Sequence, residues 1–273
     1  MAVLKSASRA STAQVRDDVE AVAGSVPDRA GAADALFAIV GVLGGNPGLR
    51  RTLAEASVES DDRAGLLRRL FAGKVPDAAL DLAATVVGRR WSSPWDLVDA
   101  LEGAGNQLLL VEAEQTGHLE AVEDQLFRFG RIVAGDGGLR GALDDRAVPG
   151  EQRATLARRL LDGRAEPVTA ALVAQGVRST SHPSVELAVD DLLELTAARR
   201  ARSVASVTSA VALSDTQVDR LAAALTRLYA REIAVRVDVD PRVRGGLVIR
   251  LGDEIIDGSV ATRLASARGS LGG

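Results

Sequence analysis

The chain has no cysteine in its 273 residues, which excludes disulfides, thiolate catalysis and Cys-ligated metals and suits a reducing cytoplasm. Aromatic residues are only 3%, too few for aromatic-rich sheets. Lysine is nearly missing too: Lys5 and Lys74 stand alone, and the other cations are arginines, a compositional bias of the kind a GC-rich genome produces. The net charge is −4 with a pI near 5.4, and no basic stripe is interleaved with aromatics, so nucleic acid is not an expected partner. Met1 to Ala13 lacks the apolar core of a signal peptide. No run approaches the roughly 18 uncharged apolar residues of a membrane span, so membrane association is expected only through a partner.

Motifs for chemistry are equally scarce. His118 and His182 lie in different settings, neither with a histidine or carboxylate at zinc-site spacing, and both read as surface or capping residues. Gly73-Lys74 is followed by Val75, and the glycines between Gly41 and Gly48 precede no Lys-Ser/Thr pair, so no phosphate loop is present. A Gly-x-Ser-x-Gly elbow is missing. The paired acids Asp17-Asp18, Asp144-Asp145 and Asp190-Asp191 read as solvated helix ends. No catalytic, metal-binding or cofactor-binding residue is expected.

What is present is a 47% hydrophobic, 26% charged chain long enough for two or three domains. It contains a repeat with a gapless offset of 90 residues. Leu36-Phe37 recurs as Leu126-Phe127, Gly48-Leu49-Arg50 as Gly138-Leu139-Arg140, and Arg63-Ala64 as Arg153-Ala154. Arg68-Arg69-Leu70 and Gly73 recur as Arg158-Arg159-Leu160 and Gly163. From 36 to 73, 15 of 38 positions are identical. Biased composition alone yields roughly 10–15%, so a whole domain is duplicated.

Each copy reads as about five or six short helices. Leu119, Val122, Leu126, Phe129 and Val133 step by three and four along one apolar face. Gly135 to Gly138, like Gly44 to Gly48, breaks that helix. Ser60 offers a cap in copy one, a helix starts near Pro149 in copy two, and Gly73 and Gly163 stand as stops. Further helices cover Asp77 to Val87 and Pro167 to Val177. Trp91 and Trp95, present in copy one alone, read first as core residues; Arg68-Arg69 and Arg158-Arg159 read as solvated helix faces open to a partner carboxylate. The copies are placed at 1–103 and 104–200.

The pattern changes after Arg202. Ser203 to Leu213 alternates as a strand, with Val204, Val207 and Val211. Ser214 caps a helix with Gln217 completing a capping box, and Val218, Leu221, Leu225 and Leu228 form its face. Ile233 to Val239 and Gly246 to Leu251 are further strands. Gly252-Asp253 turns into Glu254-Ile255-Ile256, and Asp257-Gly258-Ser259 opens a last helix through Leu264. The expected architecture is mainly α, two tandem helical bundles followed by a β-α-β-β-α module at 201–273.

The run from Val235 to Val260, with Gly246 before an apolar strand holding Val248 and Arg250, then Gly252, Asp253, Asp257 and Gly258, closely resembles the C-terminal signature of F-type ATP synthase delta (oligomycin-sensitivity-conferring) subunits. Residues 104–273 resemble an ordinary delta subunit, and copy one makes the chain similar to the enlarged actinobacterial form. The resemblance implies a non-catalytic stator. Its helical domain would grip N-terminal segments of the alpha subunits and its C-terminal module the b subunit of the peripheral stalk, at the cytoplasmic face of the bacterial cell membrane. Beside it, an apolar groove on copy two, around Leu172, Val173, Gly176 and Val177, is the candidate alpha contact, matched in copy one by Leu82, Ala83, Val86 and Val87; plain bundle core explains these positions equally well. Without the C-terminal signature, the two bundles would equally suit a helical adaptor outside ATP synthase that binds two partner helices.

Overall fold

The computed structural model describes residues 6–202, 204–229, 233–240, 242–243, 245–251 and 254–258. The chain divides into two compact units, Met1–Leu193 and Glu194–Gly273, with the division falling inside a helix. Among the described residues it is mainly α with one small mixed sheet, the class expected.

The helical part contains α1 (Ser6–Ala23), α2 (Arg29–Gly45), α3 (Pro47–Ala54), α4 (Ser60–Phe71), α5 (Asp77–Gly88) and α6 (Pro94–Gln115). It continues with α7 (Leu119–Gly135), α8 (Gly137–Asp144), α9 (Gly150–Leu161), α10 (Pro167–Arg178) and α11 (Val185–Arg202). Every boundary from α2 to α5 recurs 90 residues later in α7 to α10. Recurrent punctuation explains this. Gly73 and Gly163 take φ of 70° and 63°, a left-handed stop that other residues adopt at a cost. Asp136 accepts the amides of Gly138 and Leu139 at 2.9 and 3.0 Å and so starts α8. Ser60 is not the cap of α4: Glu59 takes that position, and no side chain accepts the first amides. The amphipathic face expected on α7 is inward, with Leu119, Val122, Leu126, Phe129 and Val133 all buried.

The boundary expected between 103 and 104 falls in the middle of α6. Shifted by 90 residues, the span of α1 becomes 96–113, within α6, while α6 itself corresponds to α11. One helix is thus the sixth of copy one and the first of copy two. It packs against α1, α2, α3 and α5 on one side and α7 and α10 on the other. Leu108, Leu109, Leu110 and Val111 are all at most 3% exposed. Successive residues turn by roughly 100°, so four in a row bury every side of the helix. Ser93 caps its first turn at Trp95 N, 3.2 Å away, and Pro94 takes the first position, where its missing amide is harmless.

Gly105 sits where α6 meets the Phe37 ring of α2: a Cβ there would lie 2.4 Å from the ring. Its counterpart 90 residues on is Leu195, and Phe127, the counterpart of Phe37, is 56% exposed where Phe37 is 5% exposed.

The second unit holds β1 (Val204–Ser209), α12 (Asp215–Tyr229), β2 (Ala234–Val239), β3 (Leu247–Leu251) and β4 (Glu254–Asp257). Strand order is β2-β1-β3-β4, with β1 and β2 parallel and the other pairs antiparallel. The parallel pair requires the α12 crossover. The capping box forms: Ser214 N donates to Gln217 Oε1 at 2.9 Å, and Gln217 N to Ser214 Oγ at 3.4 Å. Ala205, Val207, Leu225, Ile233, Ile249 and Leu251 make the core, with Leu221 and Tyr229 beside it. Leu228 points to solvent, and Tyr229 takes the inward place expected of it. β1 ends at Ser209, short of Leu213, and Val204 and Val207, three apart, lie on opposite faces. The expected helix after Asp257-Gly258 lies outside the described residues.

Replacing Gly105 by Ala should destabilise the helical unit by about 1–3 kcal/mol through overpacking against Phe37. Adding Phe37→Leu should recover part of that loss, measured by denaturant unfolding of each variant.

Candidate functional site

Two buried arginines organise the bundles. Arg63 in α4 and Arg153 in α9 are 3% and 5% exposed, and they stand 90 residues apart. Arg63 Nη1 donates to the carbonyls of Leu53 and Val87 at 3.3 and 2.7 Å, and Nε to Val58 O at 3.2 Å. Arg153 repeats the set on Leu143 and Val177, both at 2.7 Å, and on Val148 at 3.2 Å. Each guanidinium thereby satisfies orphan carbonyls at the ends of two neighbouring helices. Burial pulls both arginines below their ordinary value, yet they remain cations. The repeat had displayed this pair, Arg63-Ala64 and Arg153-Ala154, as identities only; that an arginine recurs beside buried alanines was the available signal. By contrast Arg68 is half exposed and pairs with Asp81 at 3.2 Å, and Arg158 pairs with Glu151 at 2.8 Å, as solvated faces do.

The candidate contact residues on α10 lie inside the bundle. Leu172 and Val173 are fully buried and Val177 is 2% exposed. At Gly176 an added Cβ would sit 3.2 Å from Ala188 of α11, so this glycine admits that helix. The copy-one counterparts Leu82, Ala83, Val86 and Val87 are buried as well. Trp91 is core, its indole N–H donating to Val86 O at 3.0 Å, whereas Trp95 is 41% exposed beneath the Arg50 guanidinium at 3.8 Å.

The outward side of α9 and α10 does present a depression of about 830 Å³. Leu161, Ala165, Pro167, Ala170 and Ala171 supply apolar lining, Arg158, Arg159 and Arg178 the positive charge, and Asp34 of α2 an acidic edge. In copy one the counterparts of Leu161, Ala170 and Ala171 are the bulkier Phe71, Leu80 and Asp81, and Gly88 replaces Arg178. Copy one therefore has bulkier side chains and one cation fewer at these positions. Glu151 is held below the usual carboxylate range, first by its hydrogen bond from Arg158 and then by Arg178.

In the second unit, Gly245 and Gly246 take φ of 90° and 82° before β3, so the glycine requirement there is backbone handedness. Val248 pairs with Asp257 and Arg250 with Ile255, on the face away from α12. Ser206, central in that face, has Arg236 on one side and Arg250 on the other. Gly258 N donates to Leu247 O at 2.9 Å and extends the β3–β4 ladder, and a Cβ at Gly258 would meet the same oxygen at 3.2 Å. Gly252 and Asp253 lie outside the described residues. His118 occupies the cap position of α7, while His182 is partly buried against Asp191. No cluster of three or more potential metal ligands occurs among the described residues. No single described helix is long and apolar enough to cross a membrane.

A family model described as "ATP synthase delta (OSCP) subunit" matches residues 108–271. A protein named "ATP synthase subunit delta" from Streptomyces griseus is 42% identical over 271 residues, 99% of this chain and 100% of its own length. The chain belongs to the ATP synthase delta (OSCP) family. A delta subunit from Acidothermus cellulolyticus is 47% identical over 85% of both chains, and one from Nocardia farcinica 44% identical over 97% of this chain and 98% of its own. Because these alignments run nearly end to end, these delta subunits include a counterpart of copy one. The family match begins inside α6, the helix that opens copy two. Among solved structures, a chain of the Toxoplasma gondii mitochondrial ATP synthase hexamer matches at TM-score 0.33 and 20% identity over 62% of this chain and 95% of its own, too loosely to carry an argument.

Arg63→Met and Arg153→Met should each cost at least about 2 kcal/mol, because buried carbonyls lose their donors. Lysine at either position should not restore it, lacking the planar fork. Arg68→Ala and Arg158→Ala should stay within about 0.5 kcal/mol of the parent chain in the same unfolding assay.

Proposed function

We propose that this delta subunit is a non-catalytic stator component of an F-type ATP synthase, tethering the catalytic head to the peripheral stalk at the cytoplasmic face of the membrane. The observation that carries the reading is the family match across copy two and the α/β unit together. A tether must resist torque through extended interfaces and needs no reactive centre. The helical unit, on this reading, holds N-terminal segments of the alpha subunits, and the α/β unit, with Gly246, Val248, Arg250, Gly252, Asp253, Asp257 and Gly258, holds the b subunit.

Leu172, Val173, Gly176 and Val177 then act through the helix they fix. They set α10 against α6 and α11, and α10 turns Ala170 and Ala171 outward into the basic groove. Small residues floor such a groove so that a helix can lie close, and arginines at its edge select a segment bearing carboxylates. The sheet face carrying Arg236, Ser206 and Arg250 is the surface of the α/β unit offered to the b subunit.

Tagged chain isolated from gently solubilised membranes should bring alpha and b subunits with it. Ala170→Trp, and Arg158→Glu with Arg159→Glu, should weaken binding of a synthetic alpha N-terminal segment by more than about tenfold while b-subunit recovery persists. Recovery of neither subunit from cells containing assembled synthase would overturn the stator reading in favour of a free adaptor.

A further inference from the structure

The connection between α10 and α11, residues 179–184, is fastened to α6 by the carboxyl groups of Asp99 and Glu102, and His182 of the connection itself acts electrostatically on both. Glu102 of α6 is 5% exposed and accepts the Ser179 hydroxyl at 3.0 Å. The Ser181 hydroxyl lies 2.6 Å from Asp99 Oδ1 and 3.4 Å from Glu102 Oε2. Gln175 of α10 contributes a further side-chain hydrogen bond to Glu102. Neither acid has an ion pair among the described residues.

The charged groups around them are otherwise engaged. Arg146, between α8 and α9, donates to the carbonyls of Ser179 and His182 at 2.8 and 2.7 Å. Asp144 accepts Val185 N at 2.7 Å, the first amide of α11. His182 Nε2 is 2.5 Å from Asp191 of α11, and its Nδ1 is buried with no hydrogen-bond partner among the described residues. Asp96 of α6 accepts the Ser8 hydroxyl of α1 at 2.5 Å. Glu102 therefore sits buried among hydroxyl and amide donors, with the exposed Asp99 and its Ser181 partner at the rim.

Copy one closes the equivalent connection, residues 89–93, by other means. Arg89 grips Asp18 of α1 with both carboxylate oxygens at 2.8 and 2.6 Å. Trp91 fills the seam, and Ser11 donates to Arg90 O at 2.6 Å. Shifted by 90, Arg89 becomes Ser179, Trp91 becomes Ser181 and Asp18 becomes Leu108, while Arg9 and Thr12 become Asp99 and Glu102. An ion pair and an indole have been replaced by two hydroxyls on two acids.

We propose that the 179–184 connection is a proton-responsive latch, which closes on α6 when the Asp99 and Glu102 carboxyls are neutral and loosens when both are ionised. A neutral carboxyl can both accept a serine hydroxyl and donate to one, whereas paired carboxylates repel each other and the one on Glu102 carries a burial cost. Desolvation, the largest influence, raises both acids above the ordinary range, with Asp96 adding to it at Asp99 and Asp99 adding to it at Glu102, while the serine hydroxyls and His182 oppose the rise. The sign follows: an acid whose folded value is raised stabilises the closed form as pH falls through that raised value. Above it the penalty is constant. The latch governs the start of α11, which leads onward to β1, and it does not depend on the stator reading.

Hydrogen exchange of the full-length chain tests this, with amide rates corrected for their intrinsic pH dependence and read at about pH 7.5 and about pH 5. Protection in 179–184 should rise on acidification by about tenfold for each pH unit of upward displacement, while 89–93 stays unchanged. Glu102→Gln with Asp99→Asn should be protected at both pH values, and His182→Gln should retain a response, moved to higher pH because a charge that lowers both acids is gone. Asp99→Asn alone, expected to show a reduced response, serves if the double variant does not fold. An unchanged parent loop, or a response abolished by His182→Gln and retained by the carboxyl variants, overturns the proposal.

Discussion

The helical part of this delta subunit depends on the burial of α6. A helix that belongs to one bundle needs one apolar face; α6 belongs to two and is apolar on every side along Leu108 to Val111. Because it is the last helix of one copy and the first of the next, no linker separates them. The copies are set at a fixed angle by the helical turn between their contacts with α6. A flexible linker would leave the copies free to reorient; a shared helix holds them together.

Sharing α6 also forces the copies to diverge. Gly105 opens a slot for Phe37, whereas Phe127, the counterpart of Phe37, is exposed. α1 keeps Gln14 in solvent, where α6 has the buried Ala104 at the equivalent position. What does not diverge is the arginine that closes the helix ends. Arg63 and Arg153 hold the same three carbonyls in each copy, because any bundle with this loop order leaves those acceptors unsatisfied. Recurrent geometry and altered surfaces occur together: copy two has Leu161 and Ala170 lining a depression where copy one has Phe71 and Leu80.

Much of this was written locally along the chain. The offset of 90 residues, the glycine stops at Gly73 and Gly163, the face from Leu119 to Val133 and the capping box at Ser214 depend only on residues near each other, and each formed as read. Gly246 of the C-terminal signature takes a positive φ, a requirement local enough to appear as sequence. Family membership followed from that same short range of residues.

Long-range packing decided the rest. Periodicity could not tell whether Leu172, Val173 and Val177 face a groove or a core, since both are apolar surfaces at helical spacing; in the bundle, where α10 packs against α9, α6 and α7, all three are buried. Nor could it reveal that α6 serves two bundles, because a repeat boundary looks the same whether it is a linker or a shared helix. Glu102 is an unremarkable acid in a helix until Ser179 and Ser181, far along the chain, close over it and remove the water that would have kept it ordinary. Sequence alone determined the elements, the duplication and the family, which depend on backbone preference and local pattern; the tertiary structure decided which side chains lost their solvent, because burial is a property of the surroundings.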